Sequence, residues 1–191
     1  MASPLFHGCV GAGLGYCWAG DARLPLIPSL RSAAPWLAAG AALACLPDID
    51  YLPGLLWLGN LNAVHQRGTH SLAFVLAACA VLWLAGRVLQ PSRFGVRAAL
   101  FLFLLVGSHL AIDLVTADYS EPVGMPLWAP VSDRPVHAPF SWLPAWTKDT
   151  LADLGSAANL RPVAVEAGAG LLVAAACVGA KRSWTRRRTP L

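Results

Sequence analysis

Charge is missing from this chain in blocks, and the blocks decide what it can fold into. Residues 1–20 carry no charged side chain, and the same holds for 32–47, 72–86 and 98–112. A fifth apolar stretch runs from 162 to 180, broken only by Glu166. A helix needs ~20 apolar residues to cross the hydrocarbon layer of a membrane. Several blocks are shorter than that, so the helices are expected to outrun their uncharged windows, with terminal arginines snorkelling to the interface. Composition agrees: 13% of the 191 residues are charged, against about 25% in an ordinary soluble domain. The pattern predicts an all-α integral membrane protein, a bundle of about five transmembrane helices. In the first stretch, Gly11 and Gly15 form a GxxxG spacing that permits close helix contact. The plainer alternative is that Gly8, Gly11, Gly13 and Gly15 only loosen a marginal helix.

The net charge of +4 is concentrated at the end of the chain, in Lys181, Arg182, Arg186, Arg187 and Arg188. Directly after an apolar stretch, such a cluster reads as a cytoplasmic anchor rather than a nucleic-acid arm. Arg23 and Arg31 separate stretches one and two, and Arg87, Arg93 and Arg97 separate three and four. Placing these three basic segments inside satisfies the alternation of loops and leaves Arg67, Arg134, Lys148 and Arg161 outside. The expected topology is N-terminus out, C-terminus in. Residues 1–180 are expected to form one membrane-embedded domain, and 181–191 a basic cytoplasmic tail. The segment 117–161 differs in character, with six prolines from Pro122 to Pro144 and with Trp128, Trp142 and Trp146. It is too proline-rich for a long helix and too aromatic for a disordered linker. A non-helical, ordered cap at the outer membrane interface is expected, where tryptophan is favoured. Five scattered cysteines without a CxxC pair indicate inert thiols rather than a disulfide framework or a zinc ribbon. No charged residue precedes the first apolar stretch, so no cleavable signal peptide is expected.

On this topology the residues least at home in lipid gather on one side. His7 lies near the start of the first stretch, and Asp48 and Asp50, in Leu46-Pro47-Asp48-Ile49-Asp50, close the second. His65 and His70 immediately precede the third, and His109 and Asp113 occupy the outer half of the fourth. Ionisable groups in a membrane segment cost roughly 2.5–3.5 kcal/mol each, so pairing or metal coordination is expected. His109 and Asp113, four residues apart, share one face of a helix. Asp48 and Asp50, on an extended or turn segment between Pro47 and Pro53, can direct both carboxylates one way. Imidazole and carboxylate together suit zinc, manganese or iron. Single members have plainer roles: His7 as an exposed or capping residue, Asp48 and Asp50 as caps, Asp113 as a partner of Arg67 or Arg134. Glu166 is expected to pair with Arg161 or to join the site. Ser71 and Thr69 are either a helix cap or a nucleophile, and His137 is structural.

Four segments carry a family resemblance: His7-Gly8, Leu46-Pro47-Asp48-Ile49-Asp50, His65-x4-His70-Ser71, and Ser108-His109-Leu110-x2-Asp113-x2-Thr116. In this order, over residues 7 to about 131, they resemble the bacterial membrane-bound metal-dependent hydrolases of the YdjM/YbcI type. Gly124-Met125-Pro126-Leu127-Trp128-Ala129-Pro130 looks like that family's segment after the last motif. The family commonly reads His-Arg-Gly-x-Thr-His; here Gln66 intervenes and Arg67-Gly68 is shifted by one residue. The resemblance implies a multi-pass protein of the bacterial inner membrane with metal-dependent hydrolytic activity. The donor pattern is also similar in kind to that of zinc-dependent phospholipases C, an analogy of ligands alone.

Seven candidate ligands, His7, Asp48, Asp50, His65, His70, His109 and Asp113, exceed the four of a structural zinc. Two divalent ions are therefore expected, zinc first, with manganese and iron as alternatives. The expected chemistry is attack of metal-activated water on a phosphoester or other ester, lipid-linked or small, at the membrane interface. Asp48 or Asp50 is the candidate general base, and Arg67 the candidate holder of phosphate or carboxylate. Expected partners are the bilayer and a small-molecule or lipid-like substrate, with no nucleic acid. The main alternative is a metal-ion carrier or sensor using the same ligands, which requires polar residues deeper in the bundle. Bis-histidine haem ligation leaves the aspartates unexplained, and the absence of HExxH disfavours a zincin-type protease.

Overall fold

Each apolar stretch folds as a helix in the computed structural model, which describes residues 1–19, 23–119 and 123–187. Gly20 of the first stretch, Pro122 of the cap and Arg188 of the basic tail lie outside the described residues. The helices are α1 (Pro4–Ala19), α2 (Leu26–Ala44), α3 (Tyr51–Leu58), α4 (Leu72–Leu89), α5 (Val96–Leu114), α6 (Leu151–Leu154) and α7 (Leu160–Arg187). The uncharged windows are outrun as expected: α2 takes in Arg31, α4 takes in Arg87 and α5 takes in Arg97. No strand occurs among the described residues.

Three segments are long and apolar enough to cross a membrane: Leu72–Leu89, Val96–Leu114 and Ala157–Arg187. A fourth arises if Leu26–Ala44 and Leu46–Leu58, bent by 57° at their junction, are one broken span. The count is therefore three to four by length and composition. With 16 residues, α1 rises only about 24 Å at 1.5 Å per residue, short of the ~30 Å hydrocarbon thickness. Outward side chains are apolar: Val88, Leu100, Leu171 and Leu172 are exposed. A helix that is apolar on its outer face as well as its inner one belongs in lipid.

Inside the bundle, α1 packs against α2 and α7, α4 packs against α5, and α5 also meets α1 and α2. The α1–α2 contact requires glycine. A Cβ added at Gly11 would lie 2.2 Å from the Gly40 carbonyl oxygen, and one at Gly15 would lie 2.1 Å from that of Trp36. The GxxxG spacing is thus a packing device that brings two backbones into contact, not a loosening of the helix. On the other side, Val75, Cys79, Leu102, Val106, Leu110 and Met125 form a continuous apolar core. Cys79 is buried, the other four cysteines are half-buried, and all five are free thiols.

The chain after α5 is ordered by returning to the bundle. Ala117 N–H donates to the Leu143 carbonyl, Trp142 N–H to Val115 and Ala138 N–H to Leu114. Met125 and Val136 exchange a pair of main-chain hydrogen bonds, and Leu72 N–H donates to Leu127. Prolines, which lack the donor, are tolerated because the pairing is intermittent. A reciprocal capping box between Thr150 and Asp153 starts the single turn α6. From Leu160, α7 runs unbroken through Lys181 to Arg187, so the described part of the basic segment extends the last helix.

Candidate metal centre

The alternation of helix directions brings the polar residues to one end of the bundle. His7 is in the first turns of α1, Asp48 follows the end of α2, His70 precedes α4, and His109 and Asp113 close α5. A 3-10 turn, Leu46–Asp50, links α2 to α3. At three residues per turn, positions i and i+2 point about 240° apart. The two carboxylates consequently diverge, which corrects the expectation that both face one way. Asp48 turns toward His109 and Asp50 toward His65, with His70 between them.

Four donor atoms converge. His109 Nε2 lies 3.2 Å from His70 Nε2, 3.1 Å from Asp113 Oδ2 and 3.5 Å from Asp48 Oδ1. His70 Nε2 is 3.6 Å from Asp113 Oδ2 and 3.8 Å from Asp48 Oδ1. Donors held to one divalent ion at about 2.0–2.1 Å lie about 3–4 Å apart, which spans these distances. The proton positions point the same way. His109 Nδ1 is 2.8 Å from the Ala44 carbonyl oxygen, which only accepts, so Nδ1 carries a proton and Nε2 is the atom left to offer an ion. His70 Nδ1 lies 3.2 Å from the carboxylate of Asp50, which fixes its tautomer in the same sense. Two imidazole nitrogens and two carboxylate oxygens therefore face one another in a buried space. Asp48 Oδ2 and Asp113 Oδ2 have no hydrogen-bond partner, so the donor set fits a divalent cation.

His7 flanks this set. Its ring stacks on His109 at 3.7 Å, and its Nε2 lies 3.3 Å from Asp113 Oδ1. Both of its ring nitrogens are buried without a hydrogen-bond partner, and His7, His109 and Asp113 form a second group that can hold an ion. The capping role for His7 is thereby excluded. Asp113 does not pair with Arg67 or Arg134; it faces His7, His109 and His70, and its Oδ1 accepts from Ala2 N–H at 3.1 Å.

Asp50 and His65 stand differently. The Asp50 carboxylate is filled: it faces His65 Nδ1 at 2.8 Å and His70 Nδ1 at 3.2 Å, and accepts from Gln66 N–H at 3.1 Å and Thr69 Oγ1 at 2.6 Å. It orients two histidines while lending its atoms to a third group, Asp50, His65 and His70. His65 Nε2 points away from the four donors, toward Tyr51 Oη at 2.7 Å and Lys148 Nζ at 3.4 Å. Burial pushes the His65 imidazole down to about 4 and moves the Lys148 ammonium below its ordinary range. Ser71 is a cap: its Oγ accepts from Phe74 N–H at 3.2 Å and donates to Gly68. Thr69 is committed to Asp50. Arg67 lies outside the cluster, exposed, with its guanidinium on the Ala63 carbonyl at 3.3 Å. Glu166 does not pair with Arg161; fully buried, it accepts from Ser3 N–H at 3.1 Å, from Ser3 Oγ and from Trp146 Nε1 at 2.8 Å. His137 is exposed, its Nδ1 3.0 Å from the Ala138 carbonyl, away from the centre.

A cavity of about 590 Å³ adjoins the centre at His65 and is lined also by Arg67, Lys148, Gln66 and Asp118. Tyr51 and Lys148, which hold the outer face of His65, escaped the sequence reading. The available signal was that Lys148 is the one lysine ahead of the basic end.

The family model described as YdjM inner membrane protein matches residues 1–187. No curated protein and no solved structure matches the chain.

Proposed function

This chain belongs to the YdjM family of inner membrane proteins, and we propose that it is a metal-dependent hydrolase with its centre at Asp48, His70, His109 and Asp113. One observation carries the reading: the Nε2 atoms of His70 and His109 lie 3.2 Å apart among buried carboxylates. A divalent ion, zinc by this donor set, would supply Lewis acidity, lowering the pKa of a water to about 7 and polarising an ester or phosphoester oxygen. The chain's own residues do the rest. Ala44 and Asp50 hold the Nδ1 protons of His109 and His70, so that each presents a lone pair. Asp48, whose Oδ2 has no partner, is the carboxylate free to take a proton as general base, a role the filled Asp50 cannot play. His7, on the second oxygen of Asp113, gives room for a second ion. Leu110 and Met125 of the neighbouring apolar core exclude water from one side.

The substrate is an ester or phosphoester, lipid-linked or small, entering from the cavity beside His65. The basic loops place the N-terminus outside and the C-terminus inside, with α1 as a short fifth crossing. The cap then lies on the outer interface, where the exposed Trp128 and Trp142 meet headgroups. A carrier is disfavoured because Val75, Leu102 and Val106 close the bundle next to the centre, and the candidate donor groups among the described residues cluster at one end. Metal analysis of purified protein, followed by assay on generic phosphoesters, tests this. About one or more equivalents of metal and turnover lost in Asp113→Asn are expected; metal without turnover leaves a carrier or sensor, and less than half an equivalent removes the site.

A further inference from the structure

Lys148 has no part in the site so far. Lys148 comes from the cap, is only 9% exposed, and places its ammonium against Tyr51 Oη and His65 Nε2. Both partners are uncharged acceptors. Among the described residues no carboxylate oxygen comes within 4.0 Å of Nζ. Asp113, Asp48, Asp118 and Asp50 act on this ammonium only from beyond that distance, so it has no direct ion pair, and burying an ammonium without one is costly.

Lys148 lines the 590 Å³ cavity, and so does Arg67. The Arg67 guanidinium donates to one neutral carbonyl, that of Ala63, leaving donors for the fork geometry that matches phosphate. The two carboxylates in the wall make no ion pair with Lys148 or Arg67 within 4.0 Å. Asp118 accepts from Gln66 Nε2 at 3.3 Å and from Gly124 N–H at 3.0 Å, and Asp133 is exposed. The same cavity reaches His65, whose other ring nitrogen is tied through Asp50 to the centre.

We propose that this cavity is an anion pocket in which Lys148 and Arg67 hold a phosphate group next to the metal centre. The proposal rests on the hydrolase reading for its purpose, though not for its geometry, and it narrows the substrate from any ester to a phosphate-bearing one. The phosphate is that of a lipid headgroup or of a soluble phosphoester, since both present the same oxygens.

The test is binding of inorganic phosphate and of short-chain phosphatidic acid to the full-length protein in detergent, by calorimetry, with metal content measured in parallel. Lys148→Met and Arg67→Gln are each expected to weaken phosphate binding about tenfold, the scale of one charge-assisted contact, with metal content unchanged. Unchanged phosphate affinity in both variants overturns the pocket while leaving the centre intact. If Lys148→Met does not fold, the exposed Arg67→Gln decides alone, and wild-type affinity there is a refutation. Wild type that purifies with less than half an equivalent of metal yet binds phosphate through Lys148 removes the hydrolase reading and keeps the pocket. Tighter binding of phosphatidic acid, lost in the same variants, assigns a lipid headgroup; equal affinity assigns a free phosphate.

Discussion

Asp48 and Asp50 are two residues apart and chemically identical, yet they should respond unequally to replacement by asparagine. Asp48 lends Oδ1 to the converging donors at 3.5 Å from His109 Nε2 and keeps Oδ2 unpaired. Asp50 meets four donors. In Asp50→Asn the amide oxygen can take the place of Oδ2 and keep Gln66, Thr69 and His70, losing the His65 contact. That loss is about 1.5–3 kcal/mol for a hydrogen bond to a charged group. It weakens metal binding 10–100-fold, the usual effect of an outer-shell partner, or about 1.4–2.7 kcal/mol. Asp48→Asn instead removes one of two negative charges from the donor set. Chelator competition on purified protein, read with metal stoichiometry, separates the two. At an ion concentration that saturates wild type a hundredfold above its dissociation constant, Asp50→Asn should retain at least about half an equivalent, and Asp48→Asn clearly less. The opposite order would make Asp50 the ligand and refute the division of roles.

Three further outcomes are expected. Gly11→Ala should destabilise by about 3 kcal/mol or more through overpacking against the α2 backbone, whereas Gly168→Ala, with nothing within 4 Å, should gain up to about 1 kcal/mol of helix propensity; unfolding in mixed detergent measures both, and equal effects would contradict the close α1–α2 contact. Glu166→Ala leaves the Ser3 and Trp146 donors buried without a partner, at about 1–3 kcal/mol for each unsatisfied group, and should speed hydrogen exchange around Trp146 while sparing metal stoichiometry. Bound metal should be released in acid, because protonated imidazole cannot ligate; a metal content that stays the same from pH 8 to pH 3 would refute histidine ligation.

Much of this protein was legible because the informative quantities are local. Hydropathy and the spacing of arginines are properties of short windows, and they marked the five long helices and the end at which His7, Asp48, His70, His109 and Asp113 meet. The i, i+4 spacing of His109 and Asp113 was enough to place both on one face of α5, and their atoms lie 3.1 Å apart. The number of crossings was less legible, since α1 is uncharged over a longer window than the helix it forms.

What only the tertiary structure decided is the division of labour among those residues. An i, i+2 pair faces one way on a strand and diverges on a 3-10 turn, so the roles of Asp48 and Asp50 waited on the backbone of Leu46–Asp50. Which nitrogen of His70 and His109 keeps its proton depends on Asp50 and on the Ala44 carbonyl, the latter 65 residues away in sequence from His109. Lys148 reaches His65 across 83 residues because the proline-rich cap returns over the bundle end. The sequence by itself determined the class of molecule and the end of the bundle that carries the chemistry. Only long-range packing could determine which atoms are left bare there, because a lone pair is defined by what its neighbours do not bond.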